Sequence, residues 1–182
     1  MEEFVPFNKD IHMEEFIQMN VEYLTWISDQ LDENYQLDAA SVLGQTIPEW
    51  VDDNLEPYIS LKPPEGILYI LEVDGDIAGM GVLKKLSDGI GEVKRMYNRP
   101  QFRRRGYARQ MLNKLLEAGR EYGFSTFRLD TPKFSVAHHL YKSSGFTERE
   151  AYPGSEIPPM FQPYWIWMEK TKSRSLFGNL SS

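Results

Sequence analysis

Arg103-Arg104-Arg105-Gly106-Tyr107-Ala108 stands between a strand-like run, Glu92-Val93-Lys94-Arg95-Met96-Tyr97, and a helix-like run that begins at Tyr107. A glycine that lets the backbone turn tightly, followed at once by the first turn of a helix, gathers several unpaired N–H groups and a positive dipole end at one point. Such a point suits a phosphate. Arg99, Arg103, Arg104, Arg105 and Arg109 crowd this stretch of a chain whose net charge is −7, so the arginines run against the overall balance. They are read as aimed at an anionic ligand.

Working outward, the helix after the loop carries Ala108, Met111, Leu112, Leu115, Leu116, Gly119 and Tyr122 on one face, and Gly123 is a natural stop. Residues 126–130 follow as a strand. A strand–helix–strand crossover is right-handed and returns in the same direction, so this strand is expected to run parallel to the Glu92 strand. Upstream, residues 67–73 and 77–83 flank Asp74-Gly75-Asp76, whose Asp-Gly pair favours a tight hairpin. Downstream, a helix over 135–144 ends at Gly145, and residues 146–152 and 164–168 read as two antiparallel closing strands joined by the proline-rich loop 153–163.

The N-terminal third reads as a strand over 4–7 and a helix over 11–32 capped by Asp10, with an unusually wide apolar face that includes Phe16, Tyr23 and Trp26. Thr46-Ile47-Pro48-Glu49 is a capping box with proline in the first turn, opening a second helix toward Tyr58. Together these give an α/β (α+β) architecture: a central, mostly antiparallel sheet with one parallel crossover and flanking helices. One domain is expected over residues 1–171, with a polar tail at 172–182.

The chain has 182 residues, 41% hydrophobic and 26% charged, with no cysteine, so thiolate metal sites, disulfides and a cysteine nucleophile are excluded. No run is long enough to span a membrane and the N-terminus lacks a basic signal-like start, so a cytoplasmic location is expected. With 27 acidic against 20 basic residues, a protein devoted to nonspecific nucleic-acid binding is disfavoured.

Arg103, Gly106 and Ala108 fill a pattern that resembles the acetyl-CoA loop of the GCN5-related N-acetyltransferases (the GNAT family): Arg or Gln, two residues, Gly, one residue, then Gly or Ala. The strand ending Met96-Tyr97-Asn98, the strand over 126–130 and the helix ending Leu140-Tyr141-Lys142-Ser143-Ser144-Gly145-Phe146 come in the family's order, and the resemblance covers roughly residues 66–170. It implies a GNAT-like fold and an enzyme that moves an acetyl group from acetyl-CoA to a primary amine by direct attack in a ternary complex. In that case pantetheine lies along Met96, Tyr97 and Asn98, and the pyrophosphate sits on the loop formed by Arg103, Arg104, Arg105, Gly106, Tyr107 and Ala108. Tyr141 matches the tyrosine that protonates the CoA thiolate in the family. Glu92, eleven residues before Arg103, matches a glutamate general base, with Glu72 and Asp130 as lesser candidates. Two positions depart from the pattern: Asn98 replaces a β-branched residue, and Phe134 stands where an asparagine contacts the cofactor.

The first helices and the 153–163 loop are expected to wall the acceptor site, with Tyr23, Trp26 and Phe161 as acceptor contacts. The acceptor is an amine-bearing small molecule or a protein or peptide; neither a nucleic acid nor a membrane partner is expected, and a homodimer is left open. No metal is expected, because His138 and His139 are adjacent on a helix and point about 100° apart. Two other readings are kept: a domain that senses acyl-CoA without turnover and, behind it, a nucleic-acid-binding module.

Overall fold

A computed structural model describes residues 1–171; the expected tail lies outside the described residues. The elements are β1 (Glu2–Pro6), α1 (Lys9–Tyr35), α2 (Ala39–Leu43), α3 (Ile47–Asn54), α4 (Glu56–Ile59), β2 (Gly66–Val73), β3 (Asp76–Ser87), β4 (Ile90–Asn98), α5 (Tyr107–Glu121), β5 (Thr126–Pro132), α6 (Ala137–Ser143), β6 (Thr147–Arg149) and β7 (Trp165–Thr171). They build a seven-stranded sheet in the order β1-β2-β3-β4-β5-β7-β6, in which β4–β5 is parallel and every other pair is antiparallel.

Local chemistry explains most of these boundaries. The β2–β3 hairpin turns through Asp74 (φ 53°) and Gly75 (φ 91°), a left-handed pair whose twist matches that of the strands. Thr46 caps α3 through its hydroxyl, and the Glu49 carboxylate returns to the Thr46 N–H at 2.8 Å, completing the expected capping box. That segment does not continue to Tyr58 as one helix: it breaks at Leu55 and restarts as α4. The cap of α1 is Asn8, whose side chain accepts from the Asp10 N–H, and not Asp10 itself. Either residue can cap, and the chain enters the helix two residues earlier than its apolar stripe begins. The short α2 was not foreseen, and β6 is only three residues long where the sequence suggested seven.

The sheet is covered on both faces. On one, α5 packs Met111, Leu112, Leu115 and Leu116 against Leu71, Leu83, Val93 and Phe127. On the other, Phe16 and Met19 of α1 and Val51, Leu55 and Tyr58 of α3–α4 cover Ile70, Met80, Val82 and Tyr97. A third cluster joins Ile27 and Leu31 of α1 to Tyr152, Phe161, Trp165 and Trp167, which puts both tryptophans of β7 on one face against a helix, as their alternation required. Each cluster buries side chains that together dominate folding.

Gly119 sets the distance between α5 and the sheet. A Cβ there would lie 2.4 Å from Phe127 Cε1 and 2.9 Å from Leu83 Cδ2. Neither ring nor leucine can withdraw within a close-packed layer. Gly119→Val is therefore expected to lose about 1–3 kcal/mol of folding stability by overpacking, read as a lower urea midpoint. An unchanged midpoint would show that the helix can lift from the sheet at no cost.

Candidate active site

The parallel pair that the crossover imposes is short. β4 and β5 are in register only through Ile90–Thr126, Gly91–Phe127 and Glu92–Arg128, and then part. A second irregularity lies just beyond: Lys94 pairs with Val82 and Tyr97 with Met80, so Arg95 and Met96 together oppose Gly81, and Arg95 takes φ 52°. This β-bulge resets the alternation of the strand. Val93 and Met96 face the α5 layer, whereas Lys94, Arg95 and Tyr97 all face the helices α1, α3 and α4.

Between the parted strands lies a cavity of about 600 Å³. Its walls come from Tyr23 and Trp26 of α1, Trp50 of α3, residues 93–98 of β4, the 103–109 loop, Asp130, Tyr141, and Glu156 and Phe161 of the 150–164 segment. The expected acceptor contacts Tyr23, Trp26 and Phe161 are thus brought together with the expected cofactor residues. Tyr107 lies against it as well, but Arg105 does not line it; its guanidinium stacks over the Phe102 ring at 5.9 Å.

At one end the loop presents backbone. Gly106, at φ 82°, is the N-cap of α5 and provides no side-chain cap, and a Cβ on it would meet nothing within 4 Å. Arg104 also has a positive φ, 61°. Left-handed residues that alternate with an ordinary one, as Arg104 and Gly106 do on either side of Arg105, turn successive N–H groups to one side and form an anion-binding concavity. Arg103 donates to the Asn98 carbonyl at 2.9 Å and stacks over Tyr97, which fixes the loop's approach. With its side-chain amide turned so that oxygen and nitrogen exchange places, the orientation its neighbours favour, Asn98 accepts the Ala108 N–H at 3.2 Å through its oxygen and donates to the Tyr97 carbonyl. One of the amides assigned to a phosphate is thus already engaged, a consequence of the departure at Asn98. Arg99 is also removed from the basic group: it pairs with Glu15 at 2.7 Å and Glu22 at 3.2 Å on α1. Arg109 reaches the hydroxyls of Ser143 and Ser144.

Tyr141 lines the cavity, 6% exposed, and its hydroxyl forms no hydrogen bond with another described residue. Desolvation pushes its phenol well above the ordinary value, and the fields of Tyr23 and Asp130 add to this. It stays protonated at neutral pH. Tyr23 is raised for the same primary reason, with Arg95 opposing and Asp130 assisting.

Beyond Tyr141 a network of charges is folded into the sheet. Lys94 bonds Asp130 at 3.0 Å and lies 3.6 Å from Glu92 and 3.7 Å from Glu156. Lys84 pairs with Glu156 and lies 3.7 Å from Glu92. Tyr58 donates to Glu156 at 2.9 Å and Tyr152 to Glu92 at 2.8 Å. Burial alone would lower Lys94, but the carboxylates outweigh it and hold the ammonium above its usual value. Burial would raise Glu156; Lys94 and Lys84 instead bring it down to about 2. Glu92 goes the other way, because desolvation outweighs its lysines and raises it.

This geometry changes the reading of Glu92. It is 0% exposed and does not line the cavity, since Lys94 and Tyr152 stand over its carboxylate. It cannot touch a ligand there. Asp130, one of the lesser candidates, does line the cavity. Glu72 is occupied elsewhere, by His12 at 3.1 Å. Sequence reasoning missed Lys94, Arg95, Tyr152 and Glu156; only a bulge in β4 makes the first two neighbours on one face, and nothing in a single sequence marks it. Among the described residues there is no cluster of metal-ligating side chains, and no helix is long and apolar enough to cross a membrane.

The same arrangement of strand, loop and helix recurs in known proteins. The model of the acetyltransferase (GNAT) family matches residues 23–146, more than half of the chain. An uncharacterized N-acetyltransferase of Bacillus subtilis (strain 168), YsnE, is 29% identical over 126 residues, which is 60% of this chain and 83% of that protein. YedL, an uncharacterized N-acetyltransferase of Escherichia coli (strain K12), is 33% identical over 86 residues, 46% of this chain and 54% of YedL. Among solved structures, the PaiA N-acetyltransferase from Thermoplasma acidophilum, in complex with coenzyme A, superposes with a TM-score of 0.67 at 15% identity, over 94% of this chain and 99% of that one. The chain belongs to the GNAT family of acetyltransferases.

The buried Glu92 gives a pH-dependent expectation. A carboxyl whose folded pKa is raised stabilises the fold fully below its unfolded value and loses that contribution as pH rises through the folded one. Tyr152 donates to the ionised form most strongly. Tyr152→Phe is therefore expected to cost about 1–3 kcal/mol at pH 7.5 and less at pH 5, where a carboxyl raised above its ordinary value holds its proton for more of the time. Urea titrations of both proteins at the two pH values measure this; an equal loss at both would show that Glu92 does not change its ionisation in that window.

Proposed function

We propose that this protein transfers the acetyl group of acetyl-CoA to a primary amine by direct attack within a ternary complex. The observation that carries the reading is the continuity of the cavity, from the 103–108 backbone at one end, past Tyr141, to Asp130 and the aromatic wall of α1 and α3 at the other. In support, the PaiA structure binds coenzyme A within the same fold. The amides of Arg104, Arg105, Gly106 and Tyr107 hold the pyrophosphate, with Ala108 available once Asn98 yields. The exposed Arg104 and Arg105 guanidinium groups supply its positive field. Pantetheine runs along residues 96–98, whose backbone is released from β5 by the parting of the strands.

The amine nitrogen attacks the thioester carbonyl carbon, the C–S bond breaks, and one proton must leave nitrogen while another reaches sulfur. Tyr141 gives its O–H proton to the departing thiolate; its raised pKa keeps that proton in place until the sulfur becomes basic. Asp130, on the cavity wall and anchored by Lys94, accepts the nitrogen proton directly or through water. Glu92 acts behind it as a positioning residue that helps to fix Lys94. The acceptor enters between α1, α3 and the 150–164 segment, against Tyr23, Trp26 and Phe161.

Gly106→Val would add a branched side chain into the space that the pyrophosphate occupies, at a φ that valine resists. Calorimetry should show CoA binding weakened by about tenfold or more, a change of ~1.4 kcal/mol; unchanged affinity would remove the loop from the binding site.

Tyr141→Phe takes away the acid and little volume, so turnover, followed as free CoA, should fall by about 10²-fold with CoA affinity preserved. Asp130→Asn should lower kcat by about 10²-fold with CoA affinity preserved. An unchanged kcat would move the base elsewhere.

A further inference from the structure

The bulge in β4 delivers a second cation to the acceptor end of the cavity, and this one is not neutralised. Lys94, Lys84 and Arg99 are each tied to carboxylates. Arg95 differs: among the described residues it forms no ion pair and no side-chain hydrogen bond, and its Nε is buried without a partner. Its guanidinium is clamped between rings instead, 5.3 Å from the centroid of Trp50 and 5.0 Å from that of Tyr58. Both rings come from the helices opposite the CoA loop, so the group points to the acceptor side. Arg95 and Trp50 line the cavity itself.

Three costs coincide here. A non-glycine residue is held at φ 52°, a buried N–H goes unbonded, and a half-buried charge lies without a counter-ion among the described residues. Ring stacking offsets part of the last but satisfies no donor. A rigid planar fork held by aromatic faces, with donors left open to a cavity, is a pre-organised receptor for a planar anion. Asp130 lines the same cavity, and among the described residues its carboxylate is engaged by Lys94, while Glu156 is held by Lys84, Lys94 and Tyr58. Asp130 therefore keeps acceptor capacity for an ammonium and Arg95 keeps donors for a carboxylate, in a cavity whose other walls are largely apolar and aromatic.

We infer that the acceptor is a zwitterionic, amino-acid-like amine with an apolar body, its carboxylate received by Arg95 and its amine directed toward Asp130. This rests on the acetyltransferase reading and narrows it. Simple amines and polyamines lack the group that the guanidinium requires, and an exposed protein lysine has its own α-carboxyl taken up in a peptide bond.

The test uses the full chain with acetyl-CoA and matched pairs that differ only in the carboxylate: L-phenylalanine against phenethylamine and L-tryptophan against tryptamine. Release of free CoA should give the amino acid at least a tenfold higher kcat/KM. Arg95→Gln should bring the ratio close to one with the KM for acetyl-CoA unchanged, and Arg95→Lys should retain part of it. Equal or better turnover of the decarboxylated member, or a preference that survives in Arg95→Gln, overturns the inference. If neither member of a pair is turned over, the carboxylate site is read alone, by calorimetry of 3-phenylpropanoate against 3-phenylpropanamide on the CoA-loaded protein. The acid should bind at least tenfold tighter, and Arg95→Gln should abolish the difference; equal binding, or none, refutes the site. A protein that fails to bind CoA at all contradicts the acetyltransferase reading itself, so the two failures are distinguishable.

Discussion

Two parallel strands that begin in register and then part open the cavity around which the rest of this molecule is arranged. β4 and β5 share three residue pairs, after which the backbone of residues 93–98 has lost its neighbour on that side. A backbone edge inside a protein must find other partners, and here it lines a cavity suited to a ligand rich in amide and carbonyl groups. The bulge at Arg95 and Met96 completes the separation. It turns Met96 to the α5 layer while Lys94 and Arg95 stay together on the opposite face. A regular strand would have sent Arg95 into the hydrophobic layer beneath α5.

The charges beside this opening are a structural problem before they are a catalytic asset. Three carboxylates and two lysines are drawn into a region where each isolated charge would cost several kcal/mol. They are tolerable because they interleave: Lys94 touches three carboxylates, Lys84 two, and the hydroxyls of Tyr58 and Tyr152 satisfy acceptors that the lysines leave. The network also binds distant segments. Glu156 ties the 150–164 segment to β3 and β4, and Tyr58 ties it to α4, so this wall of the cavity depends on partly buried ionic contacts. Aromatic packing of Phe161 and Tyr152 completes the attachment.

Signals carried by a few adjacent residues were legible in the sequence. The Thr46–Glu49 capping box, the Asp74-Gly75 hairpin, the glycine before α5 and the handed crossover to β5 each depend on local stereochemistry, and each stands in the structure. Features decided by distant partners were not legible. Arg99 looked like a member of the basic loop because it is four residues from Arg103, yet two glutamates of α1, more than seventy residues away, hold it elsewhere. Glu92 has a suggestive offset from the loop, but that offset says nothing about Tyr152 and Lys94 standing over it. Tyr141 could be placed because the end of a helix next to a glycine is itself a local pattern.

Several titrating groups in and around the cavity are displaced away from neutrality, and one moves the other way. Desolvation raises the phenols of Tyr23, Tyr58, Tyr141 and Tyr152, carboxylates hold Lys94 charged, and lysines hold Glu156 ionised down to about 2. Glu92 moves upward from the acid side, toward neutrality. An acyl-transfer site gains from such an arrangement. A tyrosine that is protonated at neutral pH has a proton to give, and a lysine held in its charged form is a poor nucleophile and keeps its hold on Asp130. The ion pairs that hold this part of the fold together thus also keep Lys94 in its non-nucleophilic form.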